Sequence, residues 1–204
     1  MLHVGLTGGL ASGKSFVGRN LETLGCLLIQ ADQLGHQVLE PGGEAYHGVV
    51  ELFGREILEP GGRIDRRKLA AMVFASPDAL AKQIALVHPP VQARGRALAE
   101  AFFKEHPDGI AVTEAAILIE TGRFRDFARL IVAVCTPEQQ IQRAMDRDGI
   151  TRQEALDRIR WQMPLDEKVK YADYVIDTSG PKERTVEQTR KVFESLQSLR
   201  SKQI

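Results

Sequence analysis

The sequence predicts a three-layer α/β fold in which a five-stranded parallel sheet lies between helices. The main observation is a series of short β-rich runs, which lie at residues 2–6, 26–31, 109–114, 129–135 and 173–177. Helical stretches separate these runs, and strands that are connected through helices usually pair in parallel. Two capping boxes and one Ser-Pro pair mark helix starts between the runs, at Thr136-Pro137-Glu138-Gln139, Thr151-Arg152-Gln153-Glu154 and Ser76-Pro77.

The composition is that of one globular domain with balanced charge. The 204 residues are 43% hydrophobic, enough for a sizeable core, and 27 Lys and Arg balance 27 Asp and Glu. This balance provides no basic field for a nucleic acid or an anionic membrane, so we expect neither as a partner. The sequence shows no leader-like segment and no apolar run of transmembrane length, which favours a cytoplasmic location.

The cysteines and histidines predict neither a disulfide nor a structural zinc site. Cys26 and Cys135 both lie in apolar runs, where a thiol behaves as a small core hydrophobe. The histidines show no ligand spacing with each other or with cysteine.

A glycine-rich motif follows the first predicted strand. Residues 8–15 read Gly-Gly-Leu-Ala-Ser-Gly-Lys-Ser and fit the P-loop pattern G-x-x-x-x-G-K-[ST]. Such a turn wraps a triphosphate with backbone N–H groups, while Lys14 reaches the β- and γ-phosphates and Ser15 holds Mg²⁺ through its hydroxyl. The nucleotide-binding residues predicted here are Gly8, Gly9, Ala11, Ser12, Gly13, Lys14, Ser15 and Phe16.

A glycine turn that binds nothing is the alternative interpretation of this motif. Agreement with the whole pattern, together with the strand before it and the apolar helix after it, disfavours that alternative. The motif predicts a nucleoside triphosphate, but it does not by itself separate a kinase from an ATPase or a GTPase.

Asp32 follows the second predicted strand, at the carboxyl edge of the sheet, where open α/β folds bind ligands. Its carboxylate could accept the proton of an attacking hydroxyl group. An aspartate at a strand-to-helix junction also commonly caps the next helix. Position alone does not separate the two roles.

More than seventy residues separate the second and third predicted strands, far more than an ordinary crossover needs. They look helical, with turns at Pro41-Gly42-Gly43 and Pro60-Gly61-Gly62. We expect His88-Pro89-Pro90 to break them into two apolar helices, with His88 as a capping or core histidine or as a substrate contact. Apolar residues recur at helical spacing and predict a packed face, at Leu69, Met72, Val73, Leu80, Ile84 and Val87. A helical insert of this kind is a natural place for a second substrate.

Charged residues also occur where a phosphate or a metal ion would need them. Glu114 ends the third predicted strand, from which an acidic residue orients magnesium, although a cap or an edge carboxylate would lie there too. Arg143 and Arg147 share one face of the helix that begins at Pro137, which suits a clamp on phosphate oxygens. A solvated face paired with acidic neighbours is the alternative, and the residues alone favour it. Trp161 lies in a mixed helix, and we expect it to be a buried anchor rather than a platform for adenine.

With these residues in hand, the chain resembles the dephospho-coenzyme A kinase family over nearly its whole length. The first two motifs are residues 5–15 and Ala31-Asp32, the second followed by residues 38–42. The helical insert resembles that of the family at Phe53-Gly54, Ile57-Leu58, residues 64–69, Val73-Phe74 and His88-Pro89. The C-terminal part is similar at residues 137–140, Arg143, Arg147-Asp148, Arg158-Ile159, Gln162, residues 172–177 and Gly180. Many families share the P-loop, whereas this ordered set is specific.

The resemblance implies a P-loop kinase fold in a single domain of residues 1–204, with a helical acceptor-binding insert at about 33–107 and a helical lid at about 138–168. It implies that the γ-phosphoryl group of ATP is transferred to the ribose 3′-hydroxyl of dephospho-coenzyme A, which is the last step of coenzyme A synthesis. A closed lid would exclude water, which otherwise hydrolyses ATP. We expect a monomer or a small homo-oligomer.

The resemblance also assigns roles to single residues. Asp32 is implied to be the general base, and the implied catalytic residues are Asp32, Lys14 and Arg143. Lys14 and Ser15 are implied to handle phosphates and Mg²⁺, and Arg143 to belong to a lid over ATP. From their positions, Arg147 is also predicted to contact ATP and Glu114 to bind Mg²⁺. The implied acceptor-binding residues are Asp32, Arg66 and His88.

The chain departs from the family pattern at Phe16, Gln30, His36, Ala116 and Thr178. None of these is among the implied catalytic residues, so the departures bear on acceptor binding more than on the reaction. Another P-loop kinase of nucleosides, nucleotides or metabolites is an alternative, which the long insert and its motifs disfavour. A guanine-nucleotide switch is a second alternative, but its Asn-Lys-x-Asp segment does not occur in the sequence.

Overall fold

The computed structural model describes residues 1–73 and 76–201. Its strands are β1 (Leu2–Gly8), β2 (Leu27–Gln30), β3 (Ile110–Glu114), β4 (Arg129–Val134) and β5 (Tyr174–Asp177). Its α-helices are α1 (Lys14–Thr23), α2 (Ala31–Val38), α3 (Tyr46–Phe53), α4 (Arg66–Val73), α5 (Pro77–Glu105), α6 (Pro137–Asp148), α7 (Arg152–Arg160), α8 (Leu165–Val169) and α9 (Lys182–Ser201). Phe74, one of the residues that carry the family resemblance, lies outside the described residues.

The five strands form one sheet in the order β2-β3-β1-β4-β5. Strand β1 pairs in parallel with β3 and β4, and β4 pairs in parallel with β5. Strand β1 is buried along most of its length, as expected of a parallel strand that helices cover on both faces. The predicted parallel sheet is confirmed, and every predicted strand agrees with the observed one to within two residues at each end.

The chain divides into two compact units, one formed by Met1–Ile29 with the chain from Ala99 onward and the other by Gln30–Leu98. In the first unit, side chains of the sheet pack against helices α1 and α9. This core comprises Leu2, Val4, Leu6, Val17, Leu21, Cys26, Ile110, Val112, Ile131, Ala133, Ile176, Val192 and Leu196. Strand β1 and helix α1, which flank the glycine-rich loop, both contribute to this core. Both ends of the loop are therefore attached to well-packed elements.

Both cysteines are free thiols, as predicted. Cys26 is buried in the core of the first unit, and burial raises its pKa to about 12. Its side chain is therefore a neutral thiol at physiological pH and packs as a hydrophobe.

The second unit has a core of its own. The buried members of this core are Val38, Ala45, Val49, Phe53, Ile57, Ile64, Leu69, Val73 and Val87, and Met72 and Leu80 pack against them. The predicted apolar face of the helical stretch is thus confirmed except at Ile84, which is half-buried and is not among the described residues of this core. The two Pro-Gly-Gly turns are confirmed as well, because Gly43 N–H donates to the Glu40 carbonyl oxygen and Gly62 N–H donates to that of Glu59.

The expected helix break at His88-Pro89-Pro90 is wrong, because α5 runs from Pro77 to Glu105 with both prolines inside it. A proline in a helix interior removes an N–H donor and crowds the preceding turn, which costs about 3 kcal/mol. Val87 is buried in the core of the second unit, and Val91 packs against the same core. Packing on both sides of the prolines stabilises the helix through them.

The predicted helix starts are confirmed. Thr136 and Thr151 form complete capping boxes at the starts of α6 and α7. At the start of α5, Ser76 Oγ accepts a hydrogen bond from Ala79 N–H at 3.1 Å. Within the described ranges, no helix is both long and apolar enough to cross a membrane.

Trp161 is not the buried anchor that we expected. Its side chain is 48% exposed and lies at the C-cap of α7. Helix α7 is short and polar and buries only Ala155, so its end does not reach a core large enough to enclose an indole ring.

The capping box at Thr136 should contribute measurably to stability. Thr136 Oγ1 accepts from Gln139 N–H at 3.2 Å, and Gln139 Oε1 accepts from Thr136 N–H at the same distance. Thr136→Ala should lower the free energy of unfolding in urea by about 1 kcal/mol. The matched control is Thr23→Ala, because the exposed Thr23 hydroxyl only donates to the Arg19 carbonyl oxygen within α1. Equal losses in the two variants would contradict the capping contribution.

Candidate active site

The glycine-rich loop spans residues 9–13, between the end of β1 and the first residue of α1. Gly13 has a φ of +85°, in the region that favours glycine. A Cβ atom at Gly13 would lie 2.8 Å from Thr178 Oγ1, and one at Gly8 would lie 2.6 Å from the Ala133 carbonyl oxygen. The loop therefore takes this path only because both positions are glycine.

Two buried side chains hold the loop from outside. Gln140 Nε2 donates to the Leu10 carbonyl oxygen at 2.8 Å, and Thr178 Oγ1 donates to the Ser12 carbonyl oxygen at 2.9 Å. Both bonds use carbonyl oxygens of the loop. They connect the loop to helix α6 and to the end of β5 without occupying N–H groups that a phosphate would need.

Helix α1 begins at the end of this loop with no side-chain cap and no acidic residue in its first turn. The N–H groups of an uncapped first turn favour an anion. Lys14, the first residue of the helix, is only 8% exposed. Among the described residues, no carboxylate pairs with the Lys14 ammonium. Because a buried charge is costly without a counter-ion, this arrangement suits a polyanion such as a triphosphate.

A second buried lysine lies near Lys14. Lys168, in helix α8, is fully buried, and its Nζ donates to the Ala116 carbonyl oxygen at 2.6 Å and to Glu120 Oε1 at 2.8 Å. Burial is the main cause that lowers the pKa of Lys168, and the positive charge of Lys14 lowers it further, while Glu120 opposes the shift. The two ammonium groups thus contribute to one region of positive potential.

Arg143 lies one helical turn beyond Gln140 in α6 and is half-buried. Its guanidinium donates to both oxygens of Thr178, with Nη1 at 3.0 Å from the hydroxyl and Nη2 at 2.7 Å from the carbonyl oxygen. The same Thr178 hydroxyl bonds to the loop at Ser12. Arg143 is therefore linked to the glycine-rich loop through one intermediate side chain.

Arg147 has different surroundings from Arg143. It is exposed, and its guanidinium donates to Asp148 at 2.7 and 2.9 Å. These bonds, together with Arg158, hold the pKa of Asp148 below its usual range. The structure thus contains the pairing with an acidic neighbour that the sequence left open, and a contact between Arg147 and ATP stays a prediction.

Ser15 and Glu114 lie together at the ends of their elements. The Ser15 hydroxyl donates to Glu114 Oε1 at 2.5 Å, and Glu114 is buried at the end of β3. In the described part of the chain, no group of three or more His, Cys, Asp and Glu side chains could hold a metal ion. One carboxylate and one hydroxyl fit Mg²⁺, which usually keeps several waters and takes its other ligands from substrate phosphates.

Asp32 lies in the first turn of α2 and is exposed. The N-cap of that helix is Gln30, and no side-chain bond caps it. The capping role considered from the sequence is therefore not the role of Asp32 in this structure.

A cavity of about 420 Å³ lies in the second unit, lined by His36, Leu39, Glu40, Glu59, Arg63, Ile64, Asp65, Arg66 and Arg67. Burial lowers the pKa of His36, as does the charge of Arg66, while Asp32 and Glu40 oppose that shift. Asp32 and Arg66 are thus electrostatic neighbours of one cavity-lining histidine. His88 does not line this cavity and lies half-buried within α5.

Comparison with known proteins identifies the family of the chain. The family model described as dephospho-CoA kinase matches residues 2–183. The chain belongs to the dephospho-CoA kinase family. The dephospho-CoA kinase of Geobacter metallireducens is 44% identical over 189 residues, which cover 92% of this chain and 93% of that protein. The dephospho-CoA kinase of Carboxydothermus hydrogenoformans is 41% identical over 191 residues, 94% of this chain and 92% of that protein.

A solved structure shares the fold of the chain. The crystal structure of TT1252 from Thermus thermophilus superposes with a TM-score of 0.81 at 32% identity, over 95% of this chain and 96% of that one. The dephospho-CoA kinase of Campylobacter jejuni has the same fold, with a TM-score of 0.62 at 23% identity over 95% of this chain and 96% of that one, so the predicted P-loop kinase fold is confirmed. The family model and the relatives confirm the resemblance to dephospho-CoA kinases.

Reasoning from local sequence missed Gln140, Thr178 and Lys168 as parts of this site. The sequence identified Thr178 only as a departure from the family pattern and Gln140 only as part of a motif of that pattern. Lys168 is two residues from the exposed Lys170, and no local pattern distinguishes the buried lysine from the exposed one. The contacts of all three come from residues distant in the sequence.

The Thr178 hydroxyl should be needed for activity. Thr178→Val should lower kcat/KM for ATP by about tenfold to hundredfold, because a hydrogen bond to a charged group is worth about 1.5–3 kcal/mol. The matched control is Thr189→Val, since Thr189 is also fully buried but donates within α9 to the Thr185 carbonyl oxygen at 2.8 Å. Steady-state kinetics at saturating acceptor would show the difference, and equal activities of the two variants would contradict the link through Thr178.

Proposed function

We propose that the chain transfers the γ-phosphoryl group of ATP to the ribose 3′-hydroxyl of dephospho-coenzyme A, giving coenzyme A and ADP. Family membership supports the kinase activity and the acceptor. The single observation that carries the donor half is Lys14, which is buried at the uncapped start of α1 and has no carboxylate partner among the described residues. A buried ammonium group without a carboxylate partner favours a strongly anionic ligand.

For the donor, we infer that the loop N–H groups and Lys14 bind the phosphates of ATP. The glycine-rich loop supplies backbone N–H groups, and Lys14 stabilises charge on the β- and γ-phosphates. Ser15 and Glu114 would hold Mg²⁺ together with phosphate oxygens. When bound, Mg²⁺ neutralises phosphate charge. The residues of the chain then orient the γ-phosphoryl group and exclude water from it.

For the proton, we infer that Asp32 is the general base. Its carboxylate takes the proton of the 3′-hydroxyl as the hydroxyl oxygen forms a bond to the γ-phosphorus. The bond from the γ-phosphorus to the bridging oxygen breaks, and ADP leaves with that oxygen. An exposed carboxylate in a first helical turn, without a capping role, supports this assignment.

For the acceptor, we infer that the second unit acts as the helical insert predicted at about 33–107 and that its cavity binds dephospho-coenzyme A. The acceptor carries a diphosphate, and guanidinium groups recognise phosphate oxygens with paired hydrogen bonds. Arg66 Nη2 forms an ion pair with Glu40 Oε1 at 3.7 Å, which is longer than a hydrogen bond, so the guanidinium donors can serve a diphosphate. His88 remains a candidate acceptor contact.

For closure, we infer that residues 138–168 act as a lid that brings Arg143, and with it Arg147, to the phosphates. Helices α6 and α7 share a small core of Ile141, Ala144 and Ala155, against which Leu10 and Ala11 of the glycine-rich loop pack. A lid in contact with the loop would respond to a nucleotide bound there. A closed lid would keep water from the γ-phosphoryl group.

Asp32→Asn tests the base directly. The variant should lose at least about a hundredfold in kcat, because the proton acceptor is gone, while the Kd for ATP stays within about threefold. The matched control is Asp78→Asn, because Asp78 is also exposed in the first turn of a helix and, among the described residues, pairs with Lys82 on that helix. Wild-type kcat in Asp32→Asn would contradict the assignment.

Arg66→Ala tests the acceptor site. The variant should raise KM for dephospho-coenzyme A by about tenfold or more, because a charged hydrogen bond to the diphosphate is lost, and should leave KM for ATP within about threefold. Arg55→Ala is the control, since Arg55 is exposed in the same unit and does not line the cavity. An unchanged KM for the acceptor would place the diphosphate elsewhere.

A further inference from the structure

The full burial of Lys168 is the feature that the reaction described above leaves unexplained. Its side chain is 0% exposed, although lysine is among the side chains least often buried. Lys170, two residues later, has a side chain that is 65% exposed and pairs with Glu167 on the surface. The burial is therefore specific to Lys168 and does not extend to its neighbour.

Two acceptors hold the Lys168 ammonium, and each of them has a second partner. The Ala116 carbonyl oxygen accepts from Lys168 at 2.6 Å and from Thr7 Oγ1 at 3.1 Å. Glu120 Oε1 accepts from Lys168 at 2.8 Å and from Met163 N–H at 2.9 Å. We call this set of five residues the clasp.

The clasp joins two parts of the site that are far apart in the sequence. Thr7 directly precedes Gly8, where the glycine-rich motif begins. Met163 and Lys168 lie at the C-terminal end of the segment 138–168 that we assign as the lid. The loop after β3, which contains Ala116 and Glu120, connects the two. The clasp therefore attaches the end of the lid segment to the strand that leads into the phosphate-binding loop.

Stability alone is a poor explanation for such a group. A buried ion pair often contributes little net stability, because desolvation offsets the attraction, and apolar residues of similar size can replace it without loss. In this case Lys14 adds a repulsion, which is one of the causes that lower the pKa of Lys168. A site that needed only packing at position 168 would be served better by methionine or leucine.

We propose that Lys168 is a positioning residue for phosphoryl transfer, which holds the end of the lid to the start of the phosphate-binding loop so that the closed site excludes water. This inference rests on the proposed lid. When the clasp is intact, closure places Arg143 and keeps water from the γ-phosphoryl group. When the clasp is lost, the lid still forms, but its attachment is loose. ATP is then partly hydrolysed to ADP and phosphate, with water in place of the 3′-hydroxyl as the attacking group.

The experiment compares Lys168→Met, the double variant Lys168→Met with Glu120→Gln, and Lys170→Met as the matched control. Each is assayed for ADP formed, for coenzyme A formed and for thermal unfolding. Lys168→Met leaves Glu120 without its cation, so its unfolding temperature should fall. The double variant removes both charges and should recover most of that loss.

The expected result separates stability from positioning. In the double variant, kcat for coenzyme A formation should fall by about tenfold or more, and the ratio of ADP to coenzyme A should rise above one, whereas the Kd for ATP stays within about threefold. Lys170→Met should match the wild type in every measurement. A stable double variant with wild-type kcat and a ratio of one would overturn the proposal, because the clasp would then be purely structural.

Thr7→Val keeps the proposal testable if the double variant does not fold. The substitution conserves shape and every charge and removes only the bond from Thr7 to the Ala116 carbonyl oxygen. A raised ratio of ADP to coenzyme A supports the attachment, and a ratio of one overturns it. The assay of the wild-type protein distinguishes a failure of the proposed function from a failure of the role of Lys168. A wild-type protein that does not form coenzyme A contradicts the proposed function, whereas an active wild type with fully coupled variants contradicts only the role of Lys168.

Discussion

Positive charge held out of water at the start of α1 is the constraint on which the rest of the site depends. Lys14 and Lys168 are both buried. Glu120 pairs with Lys168, whereas no carboxylate of the described residues pairs with Lys14. Glu120 compensates the charge of Lys168, whereas the buried ammonium group of Lys14 is unfavourable until an anion neutralises it. The triphosphate of ATP provides that charge, so binding of the donor relieves an electrostatic cost that the fold creates. The uncapped N-terminus of α1 acts in the same direction.

The position of this charge is determined by a few long-range hydrogen bonds to the loop. Thr178 at the end of β5 and Gln140 in α6 each bond to a loop carbonyl oxygen, and Arg143 bonds to Thr178. Gln140 and Arg143 are three residues apart, so they share one face of α6. One face of this helix therefore contacts the loop and presents the arginine of the proposed lid. Movement of α6 would change the loop and the arginine together, which gives a physical basis for coupling nucleotide binding to closure.

Local signals in the sequence were enough to predict the strands, the helix starts and the nucleotide-binding motif. Strands and capping boxes are encoded over a few residues, which is why the parallel sheet and the starts of α6 and α7 were predicted with small errors. The failures have a common cause. The helix through Pro89 and Pro90 is stabilised by packing in the second unit, and the burial of Lys168 depends on a loop about fifty residues earlier in the chain. Such contacts are not visible in a window of sequence. The identity of the acceptor was inferred from the family resemblance, because no local pattern identifies it.

The most direct test of the central claim is a comparison of acceptors with the wild-type protein. ATP and Mg²⁺ are supplied with dephospho-coenzyme A, adenosine or AMP, and the products are identified by ³¹P NMR together with the ADP formed. We expect dephospho-coenzyme A to be phosphorylated at its 3′-hydroxyl, with a kcat/KM at least about a hundredfold above that of either smaller acceptor, because the proposed acceptor insert would contact the part of the acceptor that they lack. A preference for adenosine or AMP, or tight nucleotide binding without transfer to any acceptor, would contradict the account.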